Sequence, residues 1–184
     1  IHNVMNSDFV VGITDRATNN LNMMFNTEIG QEYLTRKKGF DNNFVKRLPE
    51  FGFSAIANIL ASIKLAKYMK LGKEDAIVTV ATDGADLYLS ELNKTKEEFK
   101  NIYDETTCGE IFGEFLKGAN TDNTLELNQR DKERIFNLGY YTWVEQQGIN
   151  LDDFEKRRSQ NFWDHHYKQM LSLDDRIKEF NNIN

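Results

Sequence analysis

Five residues in the first half of the chain have the types and spacing to do chemistry. Gly52 and Ser54 form a Gly-x-Ser turn at the mouth of a long apolar-faced helix, and Thr82, Asp83 and Gly84 close an apolar run with the character of a strand. A helix entrance carries free backbone N–H groups and about +0.5 of an elementary charge. A serine there accepts a backbone N–H as N-cap and still has a hydroxyl proton to donate. The plain alternative is an N-cap and nothing more, worth about 1 kcal/mol. The Thr82–Gly84 turn ends its strand at the side where ligands sit in open α/β sheets, which suits the wall of a pocket. Asp83 equally suits the cap of the segment that follows.

The remaining reactive side chains read as structural. His165 and His166 are adjacent, so on a helix they point about 100° apart and cannot hold one metal together; no metal is expected. Cys108 is the single cysteine and closes no intrachain disulfide. Lys64, Lys67 and Lys70 fall on or near the polar side of the helix that Ser54 opens, where a solvated face is the expectation. The aromatic run "YYTWVEQQ", with "NFW" downstream, lacks the basic residues that a base-stacking surface needs and suits helix packing or a subunit interface.

These residues need elements to position them. "DFVVGIT" predicts a strand, and Asp15 caps a helix whose Ala17, Leu21, Met24 and Phe25 share one face. A second helix over 28–39 ends in three cations and a glycine, and a short third runs to the Pro49 break. Ile56, Ile59, Leu60, Ile63 and Ala66 recur at helical spacing, which predicts a helix over 55–70 with Gly72 as its C-cap. "AIVTVAT", residues 76–82, is apolar throughout, the pattern of a strand buried on both faces of a parallel sheet. From Leu87 onward the pattern is helical. The expected fold is therefore α/β: a partial, mostly parallel sheet within residues 1–92, followed by a helical extension over 93–184.

The chain has 184 residues and a net charge of −6, enough for a sizeable core and the wrong sign for nucleic acid or anionic membrane. No apolar run approaches the roughly 20 residues that cross a bilayer, and with one cysteine a cytoplasmic location is expected.

"GFSAIANILASIKLAK" followed by "DAIVTVATDGADLYLSEL" resembles the C-terminal part of the cysteine synthase-like enzymes that use pyridoxal 5′-phosphate on the tryptophan synthase β (type II) fold. "IHNVMNSDFVVGITDRAT" and "NTLELNQRDKERIFNLGYYTWVEQQG" extend the resemblance over nearly the whole chain. It implies β-elimination or β-replacement on a small amino acid such as cysteine, serine or an O-activated serine. It also implies that Ser54, on the Gly52 turn, donates to the ring nitrogen of the cofactor, beside Thr82, Asp83 and Gly84, whose place as a candidate pocket wall comes from the strand end. The family's Schiff-base lysine segment and phosphate-binding glycine loop have no counterpart here. The expectation is a C-terminal portion, inactive alone, whose partner is the N-terminal part of the same enzyme, in a homo-oligomer. The rival expectation is a non-catalytic binding or regulatory module that joins a partner chain through its helical aromatic tail.

Overall fold

The computed structural model describes residues 3–183. Helix accounts for 71% of the chain, and the one sheet has two antiparallel strands. The elements are β1 (Phe9–Val11), α1 (Asp15–Phe25), α2 (Glu28–Glu32), α3 (Asn42–Arg47), α4 (Phe53–Met69), α5 (Leu89–Phe99), α6 (Glu105–Ile111), β2 (Thr124–Glu126), α7 (Gln129–Tyr140), α8 (Leu151–Lys156) and α9 (Gln160–Ile183). Among the described residues no helix is long and apolar enough to cross a membrane.

The expected α/β architecture with a mostly parallel sheet is overturned. Strand β1 does form where "DFVVGIT" predicts it, but it pairs with β2, far along the chain. Gly12 N–H donates to the Asn123 carbonyl at 2.8 Å and Leu127 N–H to the Asp8 carbonyl at 2.8 Å, which fixes the register on both sides. Residues 76–82 form no strand. Val78 is 95% exposed and Val80 66% exposed. Among the described residues the only main-chain hydrogen bond of this segment comes from a side chain: Asn58 Nδ2 donates to the Val80 carbonyl at 3.0 Å. β-branched composition states a preference for a pleated, covered surface, and here no second strand lies beside the segment to realise it.

The helices follow their patterns closely, with differences at the ends. Thr14 rather than Asp15 caps α1, accepting from Ala17 N–H at 3.3 Å, and Asp15 sits in the first turn, where its charge still favours the helix N-terminus. The helix α4 ends at Met69, and its C-cap is Lys70 rather than Gly72, in the left-handed conformation at φ 54°. Helices α2, α6 and α7 each run on into a π-helical turn, at Tyr33–Lys37, Phe112–Lys117 and Tyr141–Gln146.

By its contacts the chain divides into two units, residues 11–125 and residues 1–10 with 126–184. In the first, α1 is central: Leu21 and Met24 are buried among Val45, Ile56, Leu60 and Cys108. Full burial of each such aliphatic side chain contributes about 1.5–3 kcal/mol. Gly30 lets α2 press on the end of α1, since a Cβ there would lie 2.0 Å from the Met24 carbonyl oxygen. In the second unit Val4, Phe136 and Phe154 form a small core. The Phe136 and Phe154 rings are 4.8 Å apart, and the Arg157 guanidinium lies 5.0 Å from the Phe154 ring and 5.7 Å from Trp143. Of the "YYTWVEQQ" aromatics, Tyr140 and Trp143 pack against this core, while Tyr141 is exposed.

Candidate functional site

The Gly52 turn and the Thr82–Gly84 turn, some thirty residues apart in sequence, lie against each other. The Leu48–Glu50 turn and Pro49 end the preceding stretch, and the chain enters α4 through Gly52, whose N–H donates to the Asp83 carbonyl at 2.6 Å. Gly52 is required there by contact. A Cβ would stand 2.8 Å from the Asp83 carbonyl oxygen, 2.9 Å from its Oδ1 and 2.9 Å from Tyr88 Cε2.

Asp83 is the hub of the pair of turns. The Tyr88 hydroxyl donates to Oδ2 at 2.5 Å and the Thr82 hydroxyl to Oδ1 at 2.8 Å. The Tyr88 hydrogen bond, then that from Thr82, holds the Asp83 carboxyl below the usual carboxylate range, so it is ionised at neutral pH. The same bond raises the Tyr88 phenol. Tyr88 is held in turn by Phe53, the first residue of α4, with ring centroids 4.8 Å apart and near edge-to-face. An anionic carboxylate therefore sits at the positive end of α4, an arrangement that favours its charge. Tyr88, which completes this cluster, was not singled out from sequence; the "LYLSEL" run in which it lies was the signal.

Ser54 is the second residue of α4 rather than its N-cap; Gly52 holds that position, and no side chain caps the helix. The Ser54 side chain is exposed. Its hydroxyl has no protein partner among the described residues. Of the five candidate residues, Gly84 lines a shallow groove of about 570 Å³, shared with Asn26, Lys46 and Glu50. Other concavities lie elsewhere. A cavity of about 310 Å³ in the 11–125 unit is lined by Thr14, Leu60, Lys64, Phe115 and Asn120, and an open groove of about 1020 Å³ runs beside α7.

Two of the three lysines on α4 are used by the fold. Lys64 Nζ donates to the Asp122 carbonyl at 2.6 Å, and Lys67 Nζ donates to the Ala119 carbonyl, so both tie the loop before β2 to the helix. Cys108 is fully buried, and burial raises its thiol above the ordinary value, which leaves it a packing residue. His165 and His166 are exposed on α9, and His165 shares a 2.9 Å hydrogen bond with Gln169. Among the described residues no group of three His, Cys, Asp or Glu side chains could hold a metal ion. Compared with protein-family models, curated proteins and solved structures, the chain finds no match.

Proposed function

We propose that the chain is the C-terminal portion of a pyridoxal 5′-phosphate-dependent enzyme that eliminates or replaces the β-substituent of a small amino acid, the reactive lysine being supplied by the enzyme's N-terminal part. The observation that carries this reading is the helix entrance: an uncapped N-terminus, an exposed Ser54 hydroxyl without a protein partner, and the Thr82–Gly84 turn seated beside it. Ser54 lines none of the grooves described above; its hydroxyl is assigned to the ring-nitrogen edge of the cofactor by its donor chemistry. A hydroxyl proton on Ser54 is free to be donated to an unprotonated ring nitrogen. The cofactor supplies an electron sink for loss of the α-proton and departure of the β-substituent. Asp83 has both carboxylate oxygens engaged by Thr82 and Tyr88, so its part is to hold the turn as a wall and leave the ring nitrogen to Ser54. The exposed, apolar, unpaired segment 76–82 supports a role for a further part of the enzyme, which would cover it.

The test is a binding titration of the chain with 4′-deoxypyridoxine 5′-phosphate, which has no aldehyde and needs no lysine, followed by cofactor fluorescence. Saturable binding is expected, weakened about fivefold in Ser54→Ala by loss of one hydrogen bond worth about 1 kcal/mol. Binding that is absent, or indifferent to Ser54, would sink the cofactor reading. Borohydride reduction in the presence of pyridoxal 5′-phosphate should label no single lysine stoichiometrically; one that is labelled, with release of pyruvate from serine, would show that no other part is needed.

A further inference from the structure

Helix α9 is 24 residues long, about 36 Å at 1.5 Å per residue. It is anchored at its first turn: the Gln160 side chain accepts from Asn6 Nδ2 at 2.9 Å and from Asn3 Nδ2 at 3.3 Å, and Trp163 Nε1 donates to the Arg157 carbonyl at 2.8 Å. From Asp164 onward the hydrogen bonds and ion pairs run along the helix itself, as in Gln160–Asp164, His165–Gln169 and Asp175–Lys178. Yet six of its larger side chains, five of them apolar, fall on one seam. Trp163, Met170 and Ile177 recur every seven residues, and His166, Leu173 and Phe180 recur every seven, three places on. This is the alternating three-four spacing of a helix that packs against another helix. Trp163 is half-buried at the anchored end, but from there on the seam is uncovered: Met170 is 55% exposed, Leu173 49%, Ile177 57% and Phe180 67%, and Tyr167 beside the seam is 74% exposed.

We propose that this seam is closed by α9 of a second copy of the chain, running antiparallel. Aligned about the point midway between Met170 and Leu173, two copies place Trp163 opposite Phe180, His166 opposite Ile177 and Met170 opposite Leu173 through all six layers. A parallel, in-register pair would instead stack His166 on His166 and Trp163 on Trp163, and would set the two helix dipoles side by side with like ends together. The flanks are compatible. Antiparallel packing brings Tyr167 near Asp174 and Gln169 near Arg176 of the other copy, with no like charges facing each other. The exposed side chains amount to ~600 Å² per copy and about 1,200 Å² for the pair, the lower edge of a specific interface. The dimer is thus a concentration-dependent one. A lipid surface fits less well, since Asp164, Asp174, Asp175 and Glu179 outnumber Lys168, Arg176 and Lys178 along the helix.

The full chain should show a monomer–dimer equilibrium by sedimentation, with a dissociation constant raised at least about tenfold in Ile177→Asp and unchanged in Lys168→Ala, which lies off the seam. Far-ultraviolet circular dichroism would confirm that both variants keep their helix. Orientation is read by cross-linking: Met170→Cys mixed with Leu173→Cys should form a disulfide-linked dimer under mild oxidation, whereas His166→Cys alone should not. A chain that stays monomeric at every accessible concentration, or a dimer indifferent to Ile177→Asp, would overturn the proposal. A rapid His166→Cys cross-link would overturn the antiparallel arrangement.

Discussion

Replacing Gly52 by alanine tests whether the two turns of the candidate site are seated together as described. The added methyl would meet a backbone carbonyl at 2.8 Å, a carboxylate oxygen at 2.9 Å and a tyrosine ring carbon at 2.9 Å, all closer than real Cβ contacts allow. Two of these atoms could swing away with their side chains. The Asp83 carbonyl moves only if the backbone moves, and with it goes the 2.6 Å hydrogen bond from Gly52 N–H. Overpacking costs about 1–3 kcal/mol and the lost bond about 1 kcal/mol, so Gly52→Ala should destabilise its unit by about 2–4 kcal/mol. For a chain of this size that lowers the midpoint by roughly 4–16 °C. Both tryptophans, Trp143 and Trp163, lie in the other unit, so their fluorescence would miss the event. The buried thiol of Cys108 belongs to the right one, and its labelling rate across a urea gradient reports unfolding there. Gly113→Ala is the control, since a Cβ there meets nothing within 4 Å; it should be neutral or stabilising by up to about 1 kcal/mol. A Gly52→Ala protein within about 0.5 kcal/mol of the parent would refute the seating of Asp83 on the helix entrance.

Tyr88→Phe removes the largest cause of the depressed Asp83 pKa, so the carboxyl resonance should titrate at higher pH by NMR. Asp83 ionises more readily folded than unfolded, so its contribution to stability is present above the unfolded value and fades as pH falls through the folded one. The variant should lose less on acidification than the parent. Phe154→Ala should cost the 126–184 unit about 3–5 kcal/mol, because the ring is fully buried against Phe136; tryptophan fluorescence in urea measures it. Lys64→Met should change stability by less than about 1 kcal/mol, given its exposure, while speeding proteolysis between 118 and 123 through loss of the bond to Asp122.

Helix α4 was legible because Ile56, Ile59, Leu60, Ile63 and Ala66 state its period without help from elsewhere, although of these only Ile56 and Leu60 are buried. α1 was legible for the same reason. Residues 76–82 were misread, although their composition is as strand-like as any in the chain. A strand needs a neighbour's main chain, and a single sequence records the appetite of a segment without recording whether anything meets it. β2 failed in the opposite sense: three residues after a polar loop give no periodicity, and only the register with β1 makes them a strand. At the site, the Gly-x-Ser turn and the Thr-Asp-Gly turn were each visible, but their contact was not, because it joins residues thirty apart through one backbone hydrogen bond. Gly52 taking the N-cap in place of Ser54 is a shift of two residues that propensity does not resolve.

The division of the chain also sets an order of events during synthesis. The 126–184 unit is discontinuous: Val4 belongs to a core whose other members are Phe136 and Phe154. Its first ten residues leave the ribosome long before the rest of that core exists, while everything the 11–125 unit needs has emerged once Leu125 is out. The continuous unit can therefore condense while its flanking N-terminal strand waits, and closing the loop of some 130 residues between Val4 and Phe136 is left to the end. A pause in translation before Phe154 would hold the nascent chain with one finished unit and Val4 still without the core it belongs to.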